Sequence, residues 1–400
     1  MGEAGPHPVP CRPPMGDRLR DKASGARRSF MPTIETLLRL GLALFFLYVF
    51  LVGVKSLETG IASLGSDAID RIFGSVANPI AGLAAGILAT VLVQSSSVST
   101  ATIVGLVGSG LLPFGYAIPM IMGANIGTTV TNTLASLGHV RQSAYFERAL
   151  AAATMHDYFN LLTVLVLLPL EILFGLISNL ARWLAGIFDG LIPEVETGRS
   201  PIKEAVSAPV TWVHDLLAGL GWGVVEGTIL LGVGFALIFV ALWLITRNMR
   251  AVMSGRIENA INGILGKGAG FGALVAGTLM TVAVQSSSIT TSILVPLVAA
   301  GVLSLRNAFP VTLGANVGTT VTALLASVAA ESPDALIVAV AHLVFNVLGI
   351  LIFYPWLPLR RLPLRLATWT AAAAVKRKSL VAGYVIGLFI VAPLLVLLIA

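Results

Sequence analysis

Charge is scarce in this sequence: 11% of 400 residues are Asp, Glu, Lys or Arg, while 56% are hydrophobic. Soluble domains carry about a quarter charged residues, so so little charge excludes an ordinary water-soluble fold. Cysteine is nearly absent. The single Cys11 excludes an internal disulfide framework. No Asn-x-Ser/Thr sequon occurs, which fits a chain never exposed to a glycosylating lumen. There is no Gly-x-Ser-x-Gly either, which removes the usual signature of a serine hydrolase. The first thirty residues have no apolar core and do not read as a secretory signal. Residues 1–33 are expected to be a disordered basic leader, with Met15 or Met31 as alternative starts.

Long apolar runs, by contrast, are plentiful. Arg39 to Val54, Thr228 to Ile245 and Leu380 to Ala400 approach or reach the length that crosses a bilayer core of ~30 Å as helix. The net charge of +6 does not indicate nucleic-acid binding, because Lys and Arg gather at the ends of these runs. Arg18, Arg20, Lys22, Arg27 and Arg28 precede the first run; Arg247, Arg250, Arg256 and Lys267 follow the second. Between them lies an acid-leaning connector, 191–226, with Glu194, Glu196, Glu204, Asp215 and Glu226. By the positive-inside rule the first run leaves the cytoplasm and the second enters it.

The chain also repeats itself. Gln94-Ser95-Ser96-Ser97 recurs as Gln285-Ser286-Ser287-Ser288, and Gly123-Ala124-Asn125-Ile126-Gly127-Thr128-Thr129 as Gly314-Ala315-Asn316-Val317-Gly318-Thr319-Thr320, both shifted by 191. His156 to Asn160 recurs as His342 to Asn346 at a shift of 186. Together with the charge pattern this predicts an all-α polytopic membrane protein of two inverted-topology repeats. The expected divisions are repeat 1 at 34–190, the extracytoplasmic connector at 191–226, repeat 2 at 227–379 and a final transmembrane helix at 380–400. Pro79 to Val93 and Val98 to Leu112 are too short to span, as are Phe271 to Val284 and Ile289 to Leu303. Each pair is read as a re-entrant helical hairpin with Gln-Ser-Ser-Ser at its tip, and each Gly-Ala-Asn segment as a helix break.

A Gln-Ser-Ser-Ser tip offers hydroxyls, an amide and the N–H groups of a helix N-terminus, an anion site built of neutral donors. Its oxygens, and those of Gln94 and Gln285, can equally ligate a hard cation such as sodium. Neither repeated motif contains Lys or Arg, so a bound anion would need companion cations to offset its charge. Asn125 with Thr128, and Asn316 with Thr319, suit ligand or ion binding, with close helix packing as the other reading. His156 and Asn160 share a helix face, as do His342 and Asn346, and an interhelical hydrogen bond is the favoured reading of the histidines. Asp157 stands apart. Its counterpart is Leu343, and a carboxylate at this depth points to a cation site or charge coupling.

At these residues the sequence resembles the type II sodium–phosphate cotransporter family, along Val91 to Thr100, Ile118 to Thr133, Ala151 to Glu171, Val282 to Ser292, Pro310 to Ala326 and His342 to Arg365. The resemblance implies symport of inorganic phosphate with sodium across the cell (inner or plasma) membrane. It makes Ser95, Ser96, Ser97, Ser286, Ser287 and Ser288 phosphate or ion contacts; Asn125 and Asn316 are expected to bind phosphate from their place in the repeated motifs, not from the resemblance. It groups Gln285, Ser286, Thr319 and Thr322 as one sodium site and makes Asn160 a further ion contact. Asp157 matches the position that separates electrogenic from electroneutral members, so an electrogenic carrier is implied. The short connector without cysteine, the loop Leu137 to Gln142 without an acid, and Ala315 where animal members often carry serine suggest a bacterial member. No enzyme activity, cofactor or transition metal is expected. The expected partners are phosphate, sodium and lipid, with a homodimer left open. The alternatives are a proton-coupled carrier using Asp157 and His156, a carrier of another oxyanion, and a non-transporting phosphate sensor.

Overall fold

The computed structural model describes residues 34–64, 78–191, 201–219, 224–265, 270–330 and 332–399. The expected leader and parts of the connector, 192–200 and 220–223, lie outside the described residues. All regular structure among the described residues is helical. The first half contains α1 (Ile34–Ala62), α2 (Pro79–Val93), α3 (Ser96–Gly108), α4 (Phe114–Thr128), α5 (Val130–Ser136), α6 (Ser143–Phe174) and α7 (Leu176–Leu191). The connector contributes α8 (Pro201–Ala218). The second half contains α9 (Val224–Leu265), α10 (Phe271–Val284), α11 (Ser287–Ala299), α12 (Leu305–Ala329), α13 (Pro333–Phe353) and α14 (Leu357–Lys376). The chain ends in α15 (Ser379–Ile399), which includes one π-helical turn at Gly387–Val391.

Six of these helices, α1, α6, α9 over Val225–Met249, α12, α13 and α15, are long and apolar enough to cross a membrane. Burial supports the same solvent. Leu92, Leu165, Leu173, Phe174, Leu279 and Leu398 lie on the surface, while Asp157, Asn160, His342 and Asn346 are fully buried. A protein with apolar side chains outside and polar ones inside is a multi-pass membrane protein.

Local chemistry sets the short helices. Asn78 caps α2 by accepting from the Ala81 N–H at 2.8 Å, with Pro79 in the first turn where its missing N–H costs nothing. The first arm of each hairpin falls where the apolar run places it, while α3 and α11 begin earlier, at Ser96 and Ser287, so the serines belong to their first turns, and end at Gly108 and Ala299 instead of the expected Leu112 and Leu303. Between the arms stand Gln94 and Gln285, each at φ 56, and among the described residues they alone, apart from glycines, have positive φ. One left-handed residue turns each hairpin.

Glycine then sets how closely α2 nests on α4 and α10 on α12. A Cβ on Gly123 would run into the Leu83 carbonyl, and one on Gly314 into the Leu274 carbonyl. Leu83 and Leu274 are themselves related by the 191-residue shift, so the halves share this contact in register. The break expected in each Gly-Ala-Asn-x-Gly-Thr-Thr segment forms in the first half, at Thr129, the last residue of its motif, and is corrected in the second half, where α12 runs through uninterrupted; from Gly123 to Thr128 the first-half motif is helical as well. The physical reason is that the polar side chains bond carbonyls one turn back, Asn125 to Ile121, Thr128 to Ala124 and Thr319 to Ala315, so the backbone stays helical.

Corresponding long helices pack antiparallel. Along α1 and α9, Gly53 lies against Ile238, Leu57 against Gly234, and Ser56 Oγ donates to the Leu230 carbonyl at 3.0 Å. Along α6 and α13, Phe159 meets Phe353, and Thr163 meets Gly349. The base of the first hairpin, Gly108, lies against Ala330 and Ala335 at the start of α13; the base of the second, Gly301, lies against Arg148 near the start of α6. Because α6 and α13 run oppositely, the hairpins enter the bundle from opposite ends. α14 packs on α6 through Ala367, Ala371 and Ala374 and is not among the candidate spans.

Gly314→Ala should destabilise the purified protein by about 1–3 kcal/mol, because the neighbour is backbone and cannot swing aside. Gly272→Ala, with open space around it, should leave thermal unfolding in detergent unchanged or slightly improved.

Candidate functional site

The two hairpin tips are built alike. Ser95 accepts from the Val98 N–H at 3.3 Å and Ser286 from the Ile289 N–H at 3.4 Å, so the first serine of each motif caps its helix. Each glutamine is pinned at both ends of its amide. Gln94 Nε2 donates to the Val91 carbonyl at 2.5 Å and Gln285 Nε2 to Val282 at 2.6 Å. Their Oε1 atoms accept from Thr131 at 3.2 Å and from Thr322 at 2.9 Å. Thr131 and Thr322 are 191 residues apart. Thr322 is therefore brought to Gln285, as expected of one site. Thr319 lies one turn before Thr322 on the same face of α12, whereas Thr128 and Thr131, their equivalents, stand on either side of the interruption at Thr129.

The remaining serines behave differently from their neighbours. Thr100 donates to the Ser96 carbonyl at 2.8 Å and Thr291 to the Ser287 carbonyl at 2.8 Å, each within its own helix. Ser96, Ser97 and Ser287 are buried and Ser288 is half-buried, yet their hydroxyls make no hydrogen bond among the described residues. They occupy the first turns of α3 and α11, where backbone N–H groups have no intrahelical acceptor. Each tip therefore presents unengaged hydroxyl and N–H donors with the positive end of a helix dipole.

No hydrogen bond joins the serines of one tip to those of the other among the described residues; the link runs through α5. Asn132 donates from Nδ2 to Thr291 Oγ1 at 2.8 Å, and its Oδ1 accepts from Ser292 at 3.1 Å. This places the residue after Thr131, the first tip's partner, on α11 one turn beyond the second tip.

A second network crosses between the halves. His156 Nε2 donates to Asn316 Oδ1 at 2.6 Å, the direction fixed because an amide oxygen only accepts. Asn316 Nδ2 donates to Asn160 Oδ1 at 2.7 Å, and Asn160 Nδ2 donates to the Asn125 backbone carbonyl at 2.8 Å. Asn125, Asn160 and Asn316 thus come together, with His156 at one end as an interhelical partner. Asp157, on the next face of α6, has no exposure; its Oδ2 accepts from Thr133 at 3.2 Å and from Tyr384 of α15 at 2.8 Å. Oδ1 meets no hydrogen bond of normal geometry. Among the described residues no three of His, Cys, Asp and Glu gather into a metal cluster.

Sequence reasoning missed Thr131, Asn132, Thr133 and Tyr384. Thr131 was accessible, since the shift that relates the tips carries it onto Thr322. Tyr384 gave no signal, because it lies outside both repeats on a helix that reads as plain apolar span. Two other cavities lie away from the tips. One of about 500 Å³ is lined by Ser304, Arg306, Arg361 and Arg365; another, of about 360 Å³, is an apolar groove between α2, α6 and α15.

The Na+/Pi-cotransporter family model matches residues 49–185 and 233–355, more than half of the chain and one segment in each half. The sheep sodium-dependent phosphate transport protein 2A is 32% identical over 97% of this chain and 72% of its own length. The rabbit protein of that name is 33% identical over 97% and 71%. The human sodium-dependent phosphate transport protein 2B is 32% identical over 90% of this chain and 64% of its own length. No solved structure matches the chain significantly.

Asn160→Ala would leave the Asn316 amide and the Asn125 carbonyl without partners in a fully buried position. A loss of about 3 kcal/mol is expected in thermal or denaturant unfolding of the purified protein, against less than about 1 kcal/mol for Asn179→Ala on the exposed face of α7. With a two-halved match, a pair of equivalent helix tips and relatives aligned over nearly its whole length, the chain belongs to the Na+/Pi-cotransporter family.

Proposed function

We propose that this protein is a secondary active symporter that imports inorganic phosphate with sodium across the cell membrane. The observation that carries the reading is the pair of helix N-termini where the hydroxyls of Ser96, Ser97, Ser287 and Ser288 make no hydrogen bond among the described residues, beside first-turn N–H groups that the helix leaves free. A phosphate oxygen needs several donors at once, and two first turns supply them without a fixed cation. Sodium fits the neighbouring oxygens: the Gln285 and Thr322 pair with Ser286 and Thr319, and in the first half Gln94 with Thr128. Asp157 offers a carboxylate oxygen beside Asn160, which supports a further ion site. The absence of basic side chains from both motifs makes sodium the charge that permits phosphate to enter, so binding of one favours the other.

The antiparallel packing of equivalent helices, and hairpins entering from opposite ends, support inverted repeats and alternating access between them. Nothing in the site calls for bond-making chemistry, so the protein is read as a carrier with no enzyme activity. Phosphate carried as a dianion with excess sodium moves net positive charge inward. A potential of about 100 mV contributes ~2.3 kcal/mol per charge, nearly two decades of accumulation at about 1.4 kcal/mol per decade.

Radiolabelled phosphate uptake into proteoliposomes tests this. An inward sodium gradient should raise the initial rate at least about tenfold, and a negative interior should raise it further. Ser96→Ala and Ser287→Ala should each raise the apparent KM for phosphate by about 10–100-fold, the equivalent of one charge-assisted hydrogen bond. Asp157→Asn should retain uptake while losing the response to potential. Sodium-independent uptake would favour a proton-coupled carrier, and a folded protein without uptake would favour a sensor.

A further inference from the structure

The His156–Asn316–Asn160–Asn125 chain has a mirror image that is unmade. The shifts relating the halves carry Asn125 onto Asn316, His156 onto His342 and Asn160 onto Asn346. Applied to the hydrogen bonds, they call for His342 Nε2 donating to Asn125 Oδ1, Asn125 Nδ2 donating to Asn346 Oδ1, and Asn346 Nδ2 donating to the Asn316 carbonyl. None of the three is formed. Asn125 Nδ2 instead turns to the Ile121 carbonyl at 3.0 Å, and Asn346 Nδ2 to the His342 carbonyl at 3.0 Å, both one turn back on their own helices. His342 Nδ1, His342 Nε2 and Asn346 Oδ1 have no partner, although both residues are fully buried. The mirrored chain would engage His342 Nε2 and Asn346 Oδ1, two of these three atoms, together with Asn346 Nδ2.

Buried polar groups in a static protein are paired. Nδ1 is without a partner in both histidines, but His156 Nε2 and Asn160 Oδ1 are paired while His342 Nε2 and Asn346 Oδ1 are not, at residues of identical type. The surroundings favour an exchange. Thr163 and Gly349 are equivalent under the 186-residue shift, and they touch each other, with a Cβ on Gly349 falling 2.9 Å from Thr163 Oγ1. α6 and α13 therefore cross at a self-equivalent point, and a movement of one half against the other can trade the two networks.

We infer that His342 and Asn346 are positioning residues of the transport cycle, and that in the opposite-facing state they form with Asn125 and Asn316 the chain that His156 and Asn160 form here. This rests on the alternating-access reading above. Near-symmetric networks give the two states similar free energies, so small differential binding of sodium and phosphate can shift the population.

The test uses the full chain with Cys11→Ser in proteoliposomes, with spin labels on cysteines placed at the exposed Phe271 and Phe174, read by pulsed electron–electron resonance. Two distance populations are expected. His156→Ala and Asn160→Ala should shift their ratio one way, and His342→Ala and Asn346→Ala the opposite way, each by about tenfold, the population equivalent of one buried hydrogen bond. His342→Gln, whose amide nitrogen lies where Nε2 lies, should restore the ratio, while His342→Asn should not. Shifts of one sign for all four variants, or lowered thermal stability at an unchanged ratio for the second pair, would overturn the inference and leave alternating access standing. A single distance in every variant, unmoved by sodium or phosphate, would remove alternating access and this inference with it.

Discussion

A backbone N–H or carbonyl without a partner is more costly inside a bilayer than anywhere else in a protein, because no water is at hand to replace the missing bond. The architecture follows from how that constraint is met and where it is left open. Long helices satisfy it along their length. Two hairpins break the rule at depth, and each break is held by one glutamine in left-handed conformation, its amide clamped between a carbonyl behind and a threonine from the neighbouring helix. What the clamps leave over is a small set of donors at the first turns of α3 and α11. Those donors are where the proposed site gains its capacity to bind an anion.

Close packing makes the clamps possible. Thr131 and Thr322 reach the glutamines because α4–α5 and α12 lie near α2 and α10, and they lie near because Gly123 and Gly314 carry no Cβ. The repeated glycines thus contribute to the site from a distance, by setting the spacing at which a threonine hydroxyl meets an amide oxygen. Helix continuity through the Gly-Ala-Asn segments serves the same end, since a rigid helix fixes the position of Asn316 between His156 and Asn160.

The legible part of the sequence was the part written twice. Hairpin arms, the tips and the shared face of His156 and Asn160 all follow from the register of the repeat and the lengths of the apolar runs. Of the two expected helix breaks only the first forms, at Thr129, and the second does not, because glycine beside polar residues reads equally as unwinding or as close packing, and along α12 packing with i−4 back-bonding prevails. Tyr384 was hidden for another reason. It lies in a final helix that belongs to neither repeat, and its contact with Asp157 spans 227 positions of the chain, a separation that no local pattern encodes. Asn132 sits between, since its counterpart is Ala323 and the repeat offers no hint of a polar role.

If phosphate is held by neutral donors whose charge balance comes from sodium, binding of the two must be coupled at equilibrium, before any movement across the membrane. Isothermal titration of phosphate into the purified protein at a series of sodium concentrations measures this directly. The account predicts affinity that climbs steeply with sodium, is unaffected by replacing chloride with another inert anion, and is weakened at every sodium concentration by Ser287→Ala. Phosphate binding of equal strength with sodium present or absent would contradict it.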